Sequence, residues 1–421
     1  MGVAAVAQEL PDAVLGLVMI VRNEAASMEE TIVSVRDDVD FWTIVDTGST
    51  DNTSAVITAA FQGVPGQLVS EPFVDFSVTR NSAMHAHGTA TAYQVMLDAD
   101  HTMTNTWRLR LACKRLLLEC QHRTLPICVQ AGMTPRLYRS QSHMWTRVFP
   151  SEGAGTSHGW HYRYPVHEVP YHTHNGLHPD HFTYKISEQV LMEHAASSHN
   201  KSQERWRNFD LPLLAKAKEE APTDARIAFY YAQTLHGVGE REAALQAYQD
   251  RVDLAGWHEE VFESKLRQAN ILGELGRDPT QKYLDAWAMS PHRAEPLYAL
   301  ARYHERALEA CPATDLVCRN SHRVQTFLYA KQAAALPRPQ RDVLFVEDYI
   351  YEQRAMELLS VQAWWLAKEL GEIYSVGRAA AEQLVQKFPD NQLYMQNIKW
   401  YNKLAEERQL SIAAAPGTVS T

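Results

Sequence analysis

The chain has 421 residues, enough for two domains and a sizeable core. Its 40 basic and 50 acidic residues leave a net charge of −10, which argues against an extended nucleic-acid footprint, and its 45% apolar and 21% charged residues are those of a globular protein. No apolar run approaches the ~18–20 residues needed to cross a bilayer. The run from Val14 to Val21 is short, follows Glu9 and Asp12, and has no basic segment before it, so it does not read as a signal peptide. Met1-Gly2 lacks the Ser or Thr a myristoylation signal would want, because Val6 stands there. The five cysteines, Cys113, Cys120, Cys128, Cys311 and Cys318, form no C-x-x-C pair and read as free thiols in a reducing compartment. A cytoplasmic location is the expectation.

Leu15 to Val21 reads as a first strand ending at Arg22-Asn23-Glu24. Ser27 with Glu30 forms a capping-box signature, and Met28, Ile32, Val33 and Val35 give the next helix an apolar face. Phe41 to Val45 is a second strand that delivers Asp46, and the loop Thr47 to Thr53 opens another helix with groups suited to N–H acceptance or ligand binding. Leu68 to Ser70 is a third strand; Asp75-Phe76-Ser77 then precedes a helix carrying Arg80 and Asn81. Tyr93 to Leu97 has the continuous apolar character of a buried parallel strand and runs into Asp98-Ala99-Asp100. Ligands in open α/β sheets sit beyond such strand ends. Two carboxylates there repel each other, and a divalent cation between protein and ligand keeps both ionised. Hard oxygen ligands suit Mg²⁺ or Mn²⁺, ions that also take substrate phosphates. The plainer reading of the pair is two turn residues, one of them capping the helix from about Thr104 to Cys120.

These motifs together, Met19-Ile20-Val21-Arg22-Asn23-Glu24, Val45-Asp46-Thr47-Gly48-Ser49-Thr50-Asp51, Phe76-Ser77 with Arg80-Asn81, and Leu97-Asp98-Ala99-Asp100, look like those of the family 2 glycosyltransferases of the GT-A fold. The resemblance implies a nucleotide-sugar donor, a UDP-sugar by preference, a divalent metal (Mn²⁺ or Mg²⁺) at Asp98 and Asp100, and inversion at the anomeric carbon. It places the nucleotide near Asn23, Glu24, Asp46 and Asp51, with one carboxylate of the pair, Asp98 included, open to the ribose or sugar. Many relatives carry two adjacent acids where this chain has Asp46-Thr47.

Arg80, Arg147 and Arg22 are candidates for the diphosphate, since a guanidinium matches phosphate oxygens in pairs. Short strands are expected at Ile127–Gln130, Leu137–Arg139 and Arg147–Phe149. The passage from His158 to His181 is rich in aromatics and histidines but has no zinc spacing and no nearby cysteine, and reads as an acceptor-binding wall. Within it Tyr164-Pro165-Val166-His167-Glu168-Val169 resembles the histidine–acid motif of family members with helical tails. That resemblance makes Glu168 the candidate base and His167 its alternate. Val190 to Glu193 reads as a strand followed by His194, a candidate third metal ligand.

Beyond about Ser198 the composition turns to helix formers. Arg226–His236, Gly237-Val238-Gly239 and Glu240–Val252 make a tetratricopeptide-like hairpin; Val261–Leu275 and Gln281–Met289 follow, a further pair is expected from Glu295, and Leu336-Pro337-Arg338-Pro339 is a break before helices from Val346 to about Glu406. The expected organisation is an α/β Rossmann-like, nucleotide-sugar-binding domain over 1–200, an all-α helical-repeat domain over 201–412, and a disordered tail over 413–421. The functional expectation is a metal-dependent inverting glycosyltransferase acting on a glycan, peptide or protein. The helical array would bind a partner or acceptor, or join two copies into a homodimer. Its rivals are a non-catalytic nucleotide-sugar-binding scaffold and a transferase acting on modified DNA bases, the latter disfavoured by the acidic balance.

Overall fold

The computed structural model describes residues 12–120, 128–132, 145–150, 160–172, 183–185, 191–194, 203–367, 371 and 373–414. The expected strand over 137–139 and the tail beyond 414 lie outside them. The chain divides into two compact units, Met1–Val238 and Gly239–Thr421.

In the first unit the elements run β1 (Leu15–Val21), α1 (Met28–Val33), β2 (Phe41–Asp46), α2 (Thr53–Ala60), β3 (Gly66–Ser70), α3 (Phe76–His87), β4 (Tyr93–Met96), β5 (His101–Thr104) and α4 (Thr106–Cys120). Then follow β6 (Cys128–Gly132), β7 (Trp145–Pro150), β8 (Trp160–Arg163), β9 (Val169–His172), β10 (Thr183–Lys185) and β11 (Leu191–His194). Helices close the unit: α5 (Gln203–Arg205), which runs through a π-helical turn at Trp206–Asp210 into α6 (Leu211–Glu220), and then α7 (Ala225–Gly237). The main sheet has the order β10-β6-β7-β4-β1-β2-β3, with β3, β2, β1 and β4 mutually parallel and β7 antiparallel to β4.

Alternation along the strands explains the layering. Leu17, Met19 and Val21 point into a core shared with Met28, Ile32, Ile57, Leu109 and Cys113, whereas Val18 points the other way, toward Ala83, Met84 and Tyr162. Helices thus cover both faces of the strands, as a parallel sheet requires. Each fully buried aliphatic side chain contributes roughly 1.5–3 kcal/mol. Gly16 is needed for close approach, because a Cβ there would meet the His87 ring at 2.3 Å. His87 is 3% exposed and wedged between the hydroxyls of Thr43 and Thr91.

Two local expectations are corrected here. Ser27 precedes α1 but makes no cap hydrogen bond; its hydroxyl instead donates to the Glu24 carboxylate at 2.9 Å. Val33, placed on the apolar face of α1, is 58% exposed, because the helix lasts only six residues and turns that position outward.

The second unit is all helical: α8 (Arg241–Asp253), α9 (His258–Glu274), α10 (Thr280–Met289), α11 (Glu295–Ala310), α12 (Leu316–Ala334), α13 (Ala355–Ala367), α14 (Ile373–Lys387) and α15 (Gln392–Ala414). Each helix packs on its successor, the pattern of a helical array. Gly239 and Gly276, which open the turns before α8 and α10, have φ of 88° and 70°, where a Cβ would be strained. Arg251 is fully buried and paired with Glu260 at 2.9 Å. Cys311 and Cys318 form a disulfide with Cα atoms 6.0 Å apart, which overturns the expectation of free thiols for this pair. Neither cysteine belongs to a C-x-x-C spacing, so the pairing became visible only when two helices brought them together. Cys113 is free and buried. Among the described residues, no helix is long and apolar enough to cross a membrane.

Candidate active site

The strand order 3-2-1-4 reverses direction between β1 and β4, and in open parallel sheets the crevice beyond the carboxyl ends of the strands flanking such a point is where ligands bind. Asn23 follows β1 and Asp98 follows β4, so both stand at that crevice.

On the β1–β2 side, the sequence-predicted residues lock two loops together. Asn23, at φ 55°, accepts from the Thr50 amide at 2.7 Å and donates its own amide to the Ser49 hydroxyl at 3.0 Å. The Glu24 amide donates to the Thr53 hydroxyl at 2.8 Å, and the Ala25 amide to Asp51 at 3.3 Å. Asp51 also accepts from the Thr53 amide at 3.0 Å, and these bonds, the Thr53 hydroxyl foremost, hold its carboxyl below the usual range. Asp46 is 6% exposed and accepts from the amides of Gly48 (3.0 Å) and Ser49 (2.7 Å) and the hydroxyl of Ser54 (2.6 Å). Burial alone would raise its pKa; the Ser54, Ser49 and Gly48 donors outweigh that and lower it. Asp46 is therefore the internal acceptor that shapes the loop. Asp46→Ala strands three donors in a buried place and is expected to cost about 1–3 kcal/mol, read as a lower urea midpoint at unchanged m-value.

On the β4 side, one guanidinium organises the acids. Arg80, from α3, has a side chain 9% exposed; its Nε donates to Glu168 Oε1 at 2.5 Å and its Nη2 to Asp98 Oδ1 at 2.5 Å. Its carbon lies 5.6 Å from the centre of the Tyr162 ring. Burial disfavours the charge on Arg80, but Asp98 and Glu168 more than restore it and push its pKa up. The residue expected to face a diphosphate thus joins a strand-end carboxylate to an acid 70 residues further along the chain. Asp98 Oδ2 lies 3.6 Å and Asp100 Oδ1 3.9 Å from Nδ1 of His101, which is 3% exposed. Ligand atoms of Asp98, Asp100 and His101 all fall within 4.8 Å of one another. Two carboxylates and an imidazole so placed match the donor set of a Mn²⁺-type ion.

The hairpin that carries Glu168 is held by α3. Asn81 donates to the Tyr162 carbonyl at 2.9 Å and accepts from the Tyr162 amide at 2.6 Å, as a neighbouring strand would. The Phe76 amide bonds the Pro165 carbonyl at 3.1 Å. Tyr164 and His167 both have positive φ, 80° and 54°, so the loop before β9 turns sharply at two points. Adjacent side chains diverge: Glu168 is 13% exposed and faces Arg80, while the exposed His167 stacks on Tyr230 of α7 with ring centres 4.1 Å apart. Arg226 donates to the His167 carbonyl at 3.1 Å.

Two candidates have side chains outside the described set. Arg147 sits in β7 opposite Met96, at the end of β4 from which Asp98 follows. His194 sits in β11 directly opposite His101 in an antiparallel pair with β5. Arg22 is exposed at the end of β1. Sequence reasoning passed over His101, Arg226 and Tyr230. His101 carried a signal, since it follows Asp100 directly and begins a four-residue strand, His101–Thr104, that was not expected ahead of the helix.

No family model matches the chain. A TPR repeat-containing protein of Synechococcus elongatus is 39% identical over 90 residues, a stretch covering 21% of this chain and 21% of that protein. Among solved structures, glucosyl-3-phosphoglycerate synthase from Mycobacterium tuberculosis, in complex with Mn²⁺, UDP and phosphoglyceric acid, is 21% identical with a TM-score of 0.22, covering 28% of this chain and 43% of its own. TarS 1–349 of S. aureus, in complex with UDP-GlcNAc, is 10% identical with a TM-score of 0.27, covering 85% and 92%. Likeness at this level does not assign an activity.

Proposed function

We propose that the chain is a metal-dependent, inverting glycosyltransferase that moves a sugar from a nucleoside-diphosphate donor, a UDP-sugar by preference, to a glycan, peptide or protein. The observation that carries this reading is the union, at the sheet's switch point, of Asp98, Asp100 and His101 with Glu168 through Arg80. Asp98, Asp100 and His101 would hold a divalent cation, with His194 opposite His101 in the sheet, and the ion would supply countercharge to a departing diphosphate. Asn23 and the 47–53 loop seat the nucleotide beyond β1 and β2. Glu168 takes the acceptor proton: Arg80 engages Oε1, and Oε2 is the oxygen assigned to the base. Arg80 fixes where that carboxylate stands relative to the metal ligands. Tyr164 and Tyr171, both under the Arg163 guanidinium, form a wall suited to sugar or peptide packing.

The test is release of nucleoside diphosphate from a panel of nucleotide sugars with Mn²⁺, Mg²⁺ or chelator. Release from one donor that vanishes with chelator, with Asp100→Ala and with Glu168→Gln is the expected result. A donor that binds without hydrolysis or transfer to any acceptor would instead identify a nucleotide-sugar-binding scaffold.

A further inference from the structure

In the second unit, α11 and α12 pack side by side across a short connection. Cys311 follows the end of α11, and Asp315 caps α12 by accepting from the Cys318 amide at 2.9 Å. His304 precedes Cys311 by seven residues, two turns back on α11, and His322 follows Cys318 by four, one turn on along α12. The spacing His-x6-Cys-x6-Cys-x3-His therefore brings two residues from each side of the turn to one place. Ligand atoms of Cys311, Cys318 and His322 lie within 4.8 Å of one another. His304, 5% exposed, sets its Nδ1 3.0 Å from His322 Nδ1, and its buried Nε2 has no hydrogen-bond partner among the described residues. A disulfide alone explains none of the imidazole arrangement. Metal-ligating histidines, by contrast, characteristically have the second ring nitrogen held by a neighbour.

We propose that, when reduced, Cys311, Cys318 and His322 bind a thiophilic divalent ion, zinc by preference, with His304 positioning the His322 ring so that Nε2 meets the ion. Two sulfurs and an imidazole are a soft donor set that favours zinc over magnesium or calcium. Disulfide and ion use the same sulfurs and exclude each other. Reduction by a dithiol transfers two electrons and two protons and gives two thiols; the ion then binds the thiolates and releases those protons. Disulfide exchange with an oxidised dithiol restores the closed pair and expels the ion. The turn between α11 and α12 is cross-linked in either state.

The full-length chain, reduced with a phosphine and titrated anaerobically with Co²⁺, reads this directly. Expected is one equivalent of Co²⁺ showing thiolate-to-metal charge transfer and the visible bands of a tetrahedral site, displaced by Zn²⁺. The charge-transfer band distinguishes it from ion binding at the carboxylates of the first unit. The signal should be absent from the oxidised chain and from a Cys311→Ser/Cys318→Ser variant whose helical circular dichroism is unchanged. His304→Ala should weaken the site by about 10–100-fold while keeping the thiolate band. A reduced, folded chain without that band, or the same spectrum in the double serine variant, overturns the proposal.

Discussion

Arg80→Met is expected to destabilise the first unit by about 3–5 kcal/mol, the cost of breaking a buried ion pair from one side. Methionine fills much of the stem's volume but leaves the Glu168 carboxylate, 13% exposed, without the guanidinium that pairs with it. The share from Asp98 is smaller, because that carboxylate is 42% exposed and water screens it. Arg80→Lys is no rescue, since an ammonium is a point charge and cannot hold two acceptors in the guanidinium's planar fork. Hydrogen exchange at the amides of β1 and β4 isolates the first unit's opening free energy from that of the helical array. The double variant Arg80→Met/Glu168→Gln should recover part of the loss, giving a coupling of roughly 0.5–3 kcal/mol. If β1 and β4 exchange in Arg80→Met as in the unaltered chain, the clamp contributes nothing to stability.

Acidification should weaken the same unit through His87. Burial pushes its pKa down to about 4, while an unfolded histidine titrates near 6.5. The folded state holds the neutral ring, so the unfolded chain binds more protons between these values. Stability is fully present above about pH 6.5 and falls as the pH drops toward 4, by up to about 3 kcal/mol at 1.36 kcal/mol per unit. His87→Gln, which keeps an amide between Thr43 and Thr91, should flatten that slope while lowering stability at neutral pH. The check is the exchange of β1 and β2 amides across pH 7 to 4; an unchanged slope in the variant would assign the acid sensitivity elsewhere.

How far the fold was legible depends on whether the signal was local. β1 was read to the residue because an unbroken apolar run lies between Asp12 and Arg22, and β2 to within one residue, since the strand runs on through Asp46 where the apolar run stops at Val45. The all-α second half was equally plain, with turns at Gly239 and Gly276 where left-handed backbone demands glycine. Ser27 misled because the capping signature is statistical, and Glu24 three residues earlier competed for the same hydroxyl. β5 was lost because four residues, His101 to Thr104, are too few to show a period against the helix that follows. The candidate site was legible as separate motifs, and their union was not. Arg80 meets carboxylates 18 and 88 residues away, and no spacing rule connects these. The Cys311–Cys318 bond and its imidazole neighbours needed the same step, because their spacing becomes a cluster only once α11 and α12 pack side by side.

The stack of His167 on Tyr230 has a consequence for dissecting the gene. A fragment stopping near residue 200, where composition shifts, would retain every acid of the candidate site yet discard the partners of the loop that presents one of them. It would also strip Phe209 from Phe73 and Phe76 at the start of α3, ring centres now 4.8 and 6.0 Å away. The first compact unit runs on through α7, and truncations placed before it are expected to report on a missing buttress and not on a dispensable tail.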